Sequence, residues 1–157
     1  MTKSKKIRII HISDIHYSEK EKSIIKNYIL NPLLVKLEKE YIDDAVYLLC
    51  ITGDLIDKGG CDSENAEKAF SACFNDFIKP IMDKLKIGMD NLFICPGNHD
   101  MVKNEDSPRA EKSLRAEFTS RDLLNKFQKG QMENEYPEDH RRLLPYKQFE
   151  KNLLKEV

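Results

Sequence analysis

"AVYLLCITGDLID", residues 45 to 57, decides the fold. Residues 45–51 form a short run that is almost wholly apolar, without the polar alternation of a half-solvated strand. Such a run fits a strand buried on both faces, as in a parallel sheet. It stops on Thr-Gly-Asp, where a buried strand would simply turn. The same design stands on either side of it: "IRIIHISDIH" at residues 7–16 and "NLFICPGNHD" at residues 91–100. Between these strands lie segments with helical periodicity. Residues 19–41 carry Ile24, Ile25, Tyr28, Ile29, Leu33, Leu34, Leu37 and Tyr41, with Pro32 predicting two pieces or a kink. Residues 63–86 carry Ala66, Ala69, Phe70, Cys73, Phe77, Ile81 and Leu85, with Asp62 or Ser63 expected as cap and Gly88 as stop. The order strand, helix, strand, helix, strand predicts an α/β fold with a parallel βαβαβ core. Helices are expected on both faces of the sheet, and all strand ends at one rim.

After residue 104 the chain changes character. "SPRAEKSLRAEF", "SRDLLNKF" and "HRRLLPYKQFEKNLLKEV" are charged and helical in period, and no further clear strand follows. Two regions are therefore expected: a core over residues 1–103 and a helical insertion or cap segment over 104–157. Arg109, Arg115, Arg121, Arg141 and Arg142 could meet phosphate there, but their acidic neighbours favour a solvated face. The composition is 40% hydrophobic and 34% charged with a formal net charge of -1. That balance is globular and gives no whole-chain reason to expect a nucleic-acid or membrane partner. The basic start is broken by Arg8 and His11 and lacks a small-residue cleavage site, so a secretory leader is not expected. The cysteines Cys50, Cys61, Cys73 and Cys95 form no Cys-x-x-Cys pair, and buried, reduced thiols in a cytoplasmic protein are expected.

The strand ends carry the chemistry. In an open parallel sheet, ligands bind beyond the carboxyl ends of the strands. Asp14 and His16 stand at the first end, Asp54 and Asp57 at the second, and Asn98, His99 and Asp100 at the third. Carboxylate, imidazole and amide oxygen make a mixed hard and borderline donor set, suited to Mn²⁺, Fe or Zn²⁺. Gly53 and Gly97 each precede a candidate ligand, where the backbone must turn sharply or approach an ion. Each piece alone is as well explained by a turn. Together they recur in order, with Asp14, Asp54 and Asn98 spaced 40 and then 44 residues apart, one strand-helix crossover each.

"SDIH", "GDLID" and "GNHD" resemble the first three motif blocks of the calcineurin-like metallophosphoesterases, over residues 7–102. The variant is more similar to the family's phosphodiesterases and nucleases than to its protein phosphatases. The resemblance implies a two-sheet sandwich, of which this chain supplies half, and two divalent metal ions. Asp14 and His16 would hold the first ion, Asp54 would bridge both, and Asn98 would bind the second. His99 would act as general acid and Asp100 would orient it, while Asp57 would support the loop or a ligand. Two such cations neutralise a phosphate and activate water between them.

The pattern then departs from the family. A lone histidine and a Gly-His-x-His element are expected later in such a chain. Only His140 follows "GNHD", and it reads as a solvated helix-start residue; His11 reads as a packed strand histidine. The ligand count is three for one ion and two for the other. The expectation is an incomplete amino-terminal part, weakly metal-binding and inactive alone. The expected partners are a phosphate-ester substrate, of nucleic-acid or nucleotide kind, and the rest of the same protein or a second copy. No membrane partner is expected. The alternative is a non-catalytic metal-binding or regulatory module. A nucleotide-binding domain is disfavoured, because no Gly-rich phosphate loop follows any strand.

Overall fold

A computed structural model describes residues 6–63, 65–102, 119–123, 125 and 141–155. Three parallel strands, β1 (Lys6–Ile12), β2 (Ala45–Thr52) and β3 (Leu92–Cys95), form one sheet in the order β1-β2-β3. Ile9 pairs with Leu48, His11 with Cys50, and Cys50 with Phe93. The apolar runs that the sequence offers as strands are the strands of the sheet.

The first crossover is helical from Glu19 to Lys39 and passes through α1 (Lys22–Ile24) and α2 (Asn31–Lys39). The second contains α3 (Ala66–Cys73) and α4 (Lys79–Leu85). Neither breaks at its proline. Instead a π-helical stretch, Ile25–Leu30 in one and Phe74–Ile78 in the other, ends just before the residue preceding Pro32 or Pro80. A proline ring lacks an N–H and crowds the carbonyl four residues back. Widening the helix to i→i+5 bonding relieves that crowding and keeps the rod continuous. The helix ends also differ from expectation. The cap of α3 is Asn65, whose side chain accepts from the Lys68 N–H at 2.8 Å. Asp62 pairs with Lys20 instead. The chain leaves α4 through Lys86 in the left-handed conformation, two residues before Gly88.

Both crossover helices pack on one face of the sheet. Right-handed crossovers made in the same direction along a sheet must do so. Leu49 and Ile51 of β2 are buried against Phe70, Cys73, Phe77, Ile78, Ile81 and Leu85. The opposite face is open among the described residues: Ile7 is 66% exposed, Ile9 64% and Phe93 54%. The expectation of helices on both faces is therefore corrected; covering both would need a strand order that reverses direction. The open face also corrects the thiols. Cys73 is buried, Cys50 is partly covered, and Cys61 and Cys95 are exposed.

A last helix, α5 (Leu144–Leu153), follows a 3-10 turn at Arg141–Leu143. It is part of the core. Phe149 stacks on Phe70 with ring centroids 5.3 Å apart, and Tyr146 is buried with its hydroxyl donating to the Ile94 carbonyl at 3.2 Å. "SPRAEKSLRAEF", residues 124, 126 and 127 of "SRDLLNKF", and His140 lie outside the described residues. No helix among those described is long and apolar enough to cross a membrane.

Candidate metal centre

The loops after the three strands are stitched together by their backbones. Gly53 donates its N–H to the Cys95 carbonyl at 2.9 Å, and His16 donates to Asp54 at 2.9 Å. Asp57 donates to Tyr17 at 3.1 Å and Gly59 to His99 at 2.7 Å. Strand order alone brings the segments near each other; these bonds fix them in register.

Backbone strain marks the same place. Asp14 (φ 56°), His16 (φ 47°), Asp54 (φ 52°) and Lys58 (φ 45°) are all left-handed. Non-glycine residues seldom adopt this conformation, which costs about 1–2 kcal/mol each. Such strain persists where the surroundings over-determine it, and it concentrates at functional sites. Here the left-handed backbone turns donors from the first and second loops toward one spot. The donor atoms of Asp14, His16 and Asp54 all lie within 4.8 Å of one another. His16 Nε2 stands 4.0 Å from both Asp14 Oδ1 and Asp54 Oδ2. Two carboxylates and an imidazole converging on one point fit a divalent cation of the hard-to-borderline kind. Asn98 is exposed on the adjoining turn, between Gly97 and His99.

The "GNHD" turn is built around two carboxylates from outside and inside it. Asp54 Oδ1 accepts the His99 N–H at 2.8 Å. Asp100 is fully buried and accepts the N–H groups of Ile56 at 3.0 Å and Gly97 at 2.8 Å. Burial raises the Asp100 carboxyl above the ordinary aspartate value, against the pull of these donors, and the charge on Asp54 adds to the rise. The expected contact between Asp100 and the His99 ring is thus corrected: the Asp100 oxygens are held by backbone. Its observed place is a clasp between the second and third loops. Asp100→Asn keeps one acceptor and presents an amide to the other donor. It is expected to cost about 2 kcal/mol, the penalty of one buried unsatisfied N–H, read as a lower urea midpoint with unchanged slope.

Asp57 takes the place that the sequence reading gave to Asp100. Its Oδ1 lies 3.1 Å from His99 Nδ1 and 3.7 Å from His16 Nδ1. The two imidazoles meet edge to face with centroids 4.5 Å apart. Burial opposes the charge on Asp57, but the bonds from His99 and Lys58 outweigh it and hold its carboxyl below the ordinary range. Lys58 Nζ is 3.3 Å from the other oxygen, and its side chain is otherwise exposed at the rim. Asp57 was legible as a strand-end carboxylate supporting the loop or a ligand, but not as the partner of the His99 ring. The signal that could have raised it is that loop's second carboxylate, within reach of histidines from both neighbouring loops. His11, away from this cluster, has its Nε2 2.6 Å from Thr52 Oγ1; it is hydrogen-bonded as expected but exposed on the open face rather than packed.

The family model described as calcineurin-like phosphoesterase matches residues 7–156. No curated protein and no solved structure matches the chain.

Proposed function

The chain belongs to the calcineurin-like phosphoesterase family, and on that premise we propose that it serves metal-dependent hydrolysis of a phosphate ester, a phosphodiester in preference to a monoester. The observation that carries this is the convergence of Asp14, His16 and Asp54, all on left-handed backbone, at one point of the rim. We assign Asp14 and His16 to a first divalent ion, Asp54 to both ions and Asn98 to a second. Mn²⁺ suits this oxygen-rich set. Ions so bound offset the charge of a phosphate and make water a better nucleophile.

The chain's own residues do the rest. Asp57 holds His99 through Nδ1, which leaves Nε2 to give a proton to the departing oxygen. Asp100 keeps the turn that carries Asn98 and His99 closed on the second loop. Lys58, the cation at the rim beside Asp57, can meet a phosphoryl oxygen. Three donors for one ion and two for the other give weak retention of the second ion. Turnover is therefore expected to be slow and to need Mn²⁺ well beyond stoichiometric amounts. The open sheet face supports a further layer supplied by the same protein or a second copy. In this reading the site-bearing part of the chain ends near residue 103, α5 completes the core beneath it, and the protein works in the cytoplasm.

The low donor count also favours a second function, a metal-binding or regulatory module without turnover. Hydrolysis of bis-p-nitrophenyl phosphate, measured beside Mn²⁺ binding, separates the two. The enzyme predicts Mn²⁺-dependent hydrolysis that His99→Ala lowers by about 10²–10⁴-fold, the usual worth of a general acid, with Mn²⁺ binding kept. Mn²⁺ binding with no hydrolysis at any Mn²⁺ concentration favours the module.

A further inference from the structure

His16 faces two ways. Its Nε2 looks toward Asp14 and Asp54, while its Nδ1 looks toward Asp57 and, beyond it, His99. The donor atoms of His16, Asp57 and His99 form a second convergent group, all within 4.8 Å of one another. We propose that these residues are a distinct zinc site, competing with the first catalytic ion for His16 and inhibitory when filled.

The distances fit four-coordinate zinc. Ligands about 2.0–2.2 Å from a tetrahedral Zn²⁺ lie roughly 3.3–3.6 Å from each other. The separations, 3.1 Å from Asp57 Oδ1 to His99 Nδ1 and 3.7 Å to His16 Nδ1, bracket that range. Both imidazoles address the same Asp57 oxygen, and Lys58 sits on the other one, so it does not block the site. The three side chains are between a quarter and two-fifths exposed, which leaves room for water as a fourth ligand.

The donor chemistry separates the two groups. Two imidazole nitrogens and one carboxylate favour Zn²⁺, whereas the Asp14, His16, Asp54 and Asn98 set is mostly oxygen and favours harder ions. The two sites also use His16 in opposite tautomers. An ion on Nε2 leaves the proton on Nδ1, the nitrogen that stands 3.7 Å from Asp57. Zinc on Nδ1 displaces that proton and the one shared between Asp57 and His99. The zinc then occupies the nitrogen by which Asp57 positions His99 and loosens His16 from the first ion. Binding stands on the geometry alone; only its inhibitory consequence rests on the phosphoesterase function proposed above.

Cobalt(II) is the probe, because four-coordinate Co²⁺ absorbs strongly in the visible and six-coordinate Co²⁺ only weakly. Metal-free protein titrated with Co²⁺ is expected to show the strong bands and to lose them when Zn²⁺ is added. His99→Ala and Asp57→Asn are expected to abolish them, with Zn²⁺ affinity down by about 100-fold or more. Asp14→Asn is expected to keep them. Circular dichroism confirms that each variant is folded, and two independent variants guard against one that is not. Weak bands in the native protein, or strong bands that survive His99→Ala, overturn the proposal. None of these readouts needs turnover, so a protein without hydrolase activity leaves the zinc site standing. Mn²⁺-dependent hydrolysis without cobalt bands sinks the zinc site and spares the enzyme.

Discussion

Gly97→Ala is expected to destabilise the protein by about 3 kcal/mol and to weaken Mn²⁺ binding in the same variant. A methyl group at this position would stand 2.2 Å from Asp54 Oδ1, 2.5 Å from the Asp54 nitrogen and 2.9 Å from its Cγ. No real Cβ contact is that short. The side-chain oxygen cannot rotate away cheaply, since it accepts the His99 N–H. The nitrogen is backbone, so the second and third loops must part. Overpacking of this kind costs about 1–3 kcal/mol, and the rigid neighbour puts Gly97 at the upper end. The melting temperature should fall by roughly 10 °C for a chain of this length. Gly88→Ala is the control, because nothing lies within 4 Å of its added Cβ. It should leave the urea midpoint unchanged or raise it slightly. A stable Gly97→Ala protein with native Mn²⁺ affinity would show that the two loops do not need this close approach.

Asp54→Asn is expected to cut Mn²⁺ affinity by about 100-fold or more while changing stability by less than about 1 kcal/mol. Asparagine tolerates the left-handed backbone observed at this position, and its amide oxygen can still accept from His99. What it removes is the negative charge that, in the function proposed above, serves both ions. Hydrolysis, if measured alongside, should fall by about 10³-fold or more, because each of the two proposed ions would lose a ligand. Asp54→Ala should lose the same affinity and a further ~1 kcal/mol of stability, since alanine bears the left-handed strain without a compensating hydrogen bond. The signal of free Mn²⁺ in electron paramagnetic resonance reads the affinity directly. Unchanged affinity in Asp54→Asn would remove Asp54 from the ligand set.

The sheet was legible in the sequence because each strand is a short, largely apolar run ended by a polar turn: Ser-Asp, Thr-Gly-Asp or Pro-Gly-Asn. Its parallel order followed from the helices between. The helices were legible in period but not in detail. Pro32 and Pro80 announce trouble for an α-helix, yet nothing in the residue pattern chooses between a break and a π-helical widening. The one-sided packing was missed because an apolar run looks the same whether its second face meets helices or stays open. At the rim, the residue types and spacing gave Asp14, His16 and Asp54 as neighbours. They could not say which carboxylate serves the His99 ring. That choice is made by backbone N–H groups: Ile56 and Gly97 claim Asp100, and Asp57 is left facing both imidazoles. Spacing along the chain carries no record of which donors a loop points inward.

The left-handed conformation of Asp14, His16 and Asp54 sets the molecule's robustness against its usefulness. Glycine at Asp14 or His16 would relax the chain, yet it would delete a donor at the rim; at Asp54 it would also remove the acceptor of the His99 N–H. A variant library selected for thermal endurance alone is therefore expected to trade Asp14 and His16 away, and its most durable members to bind metal worst.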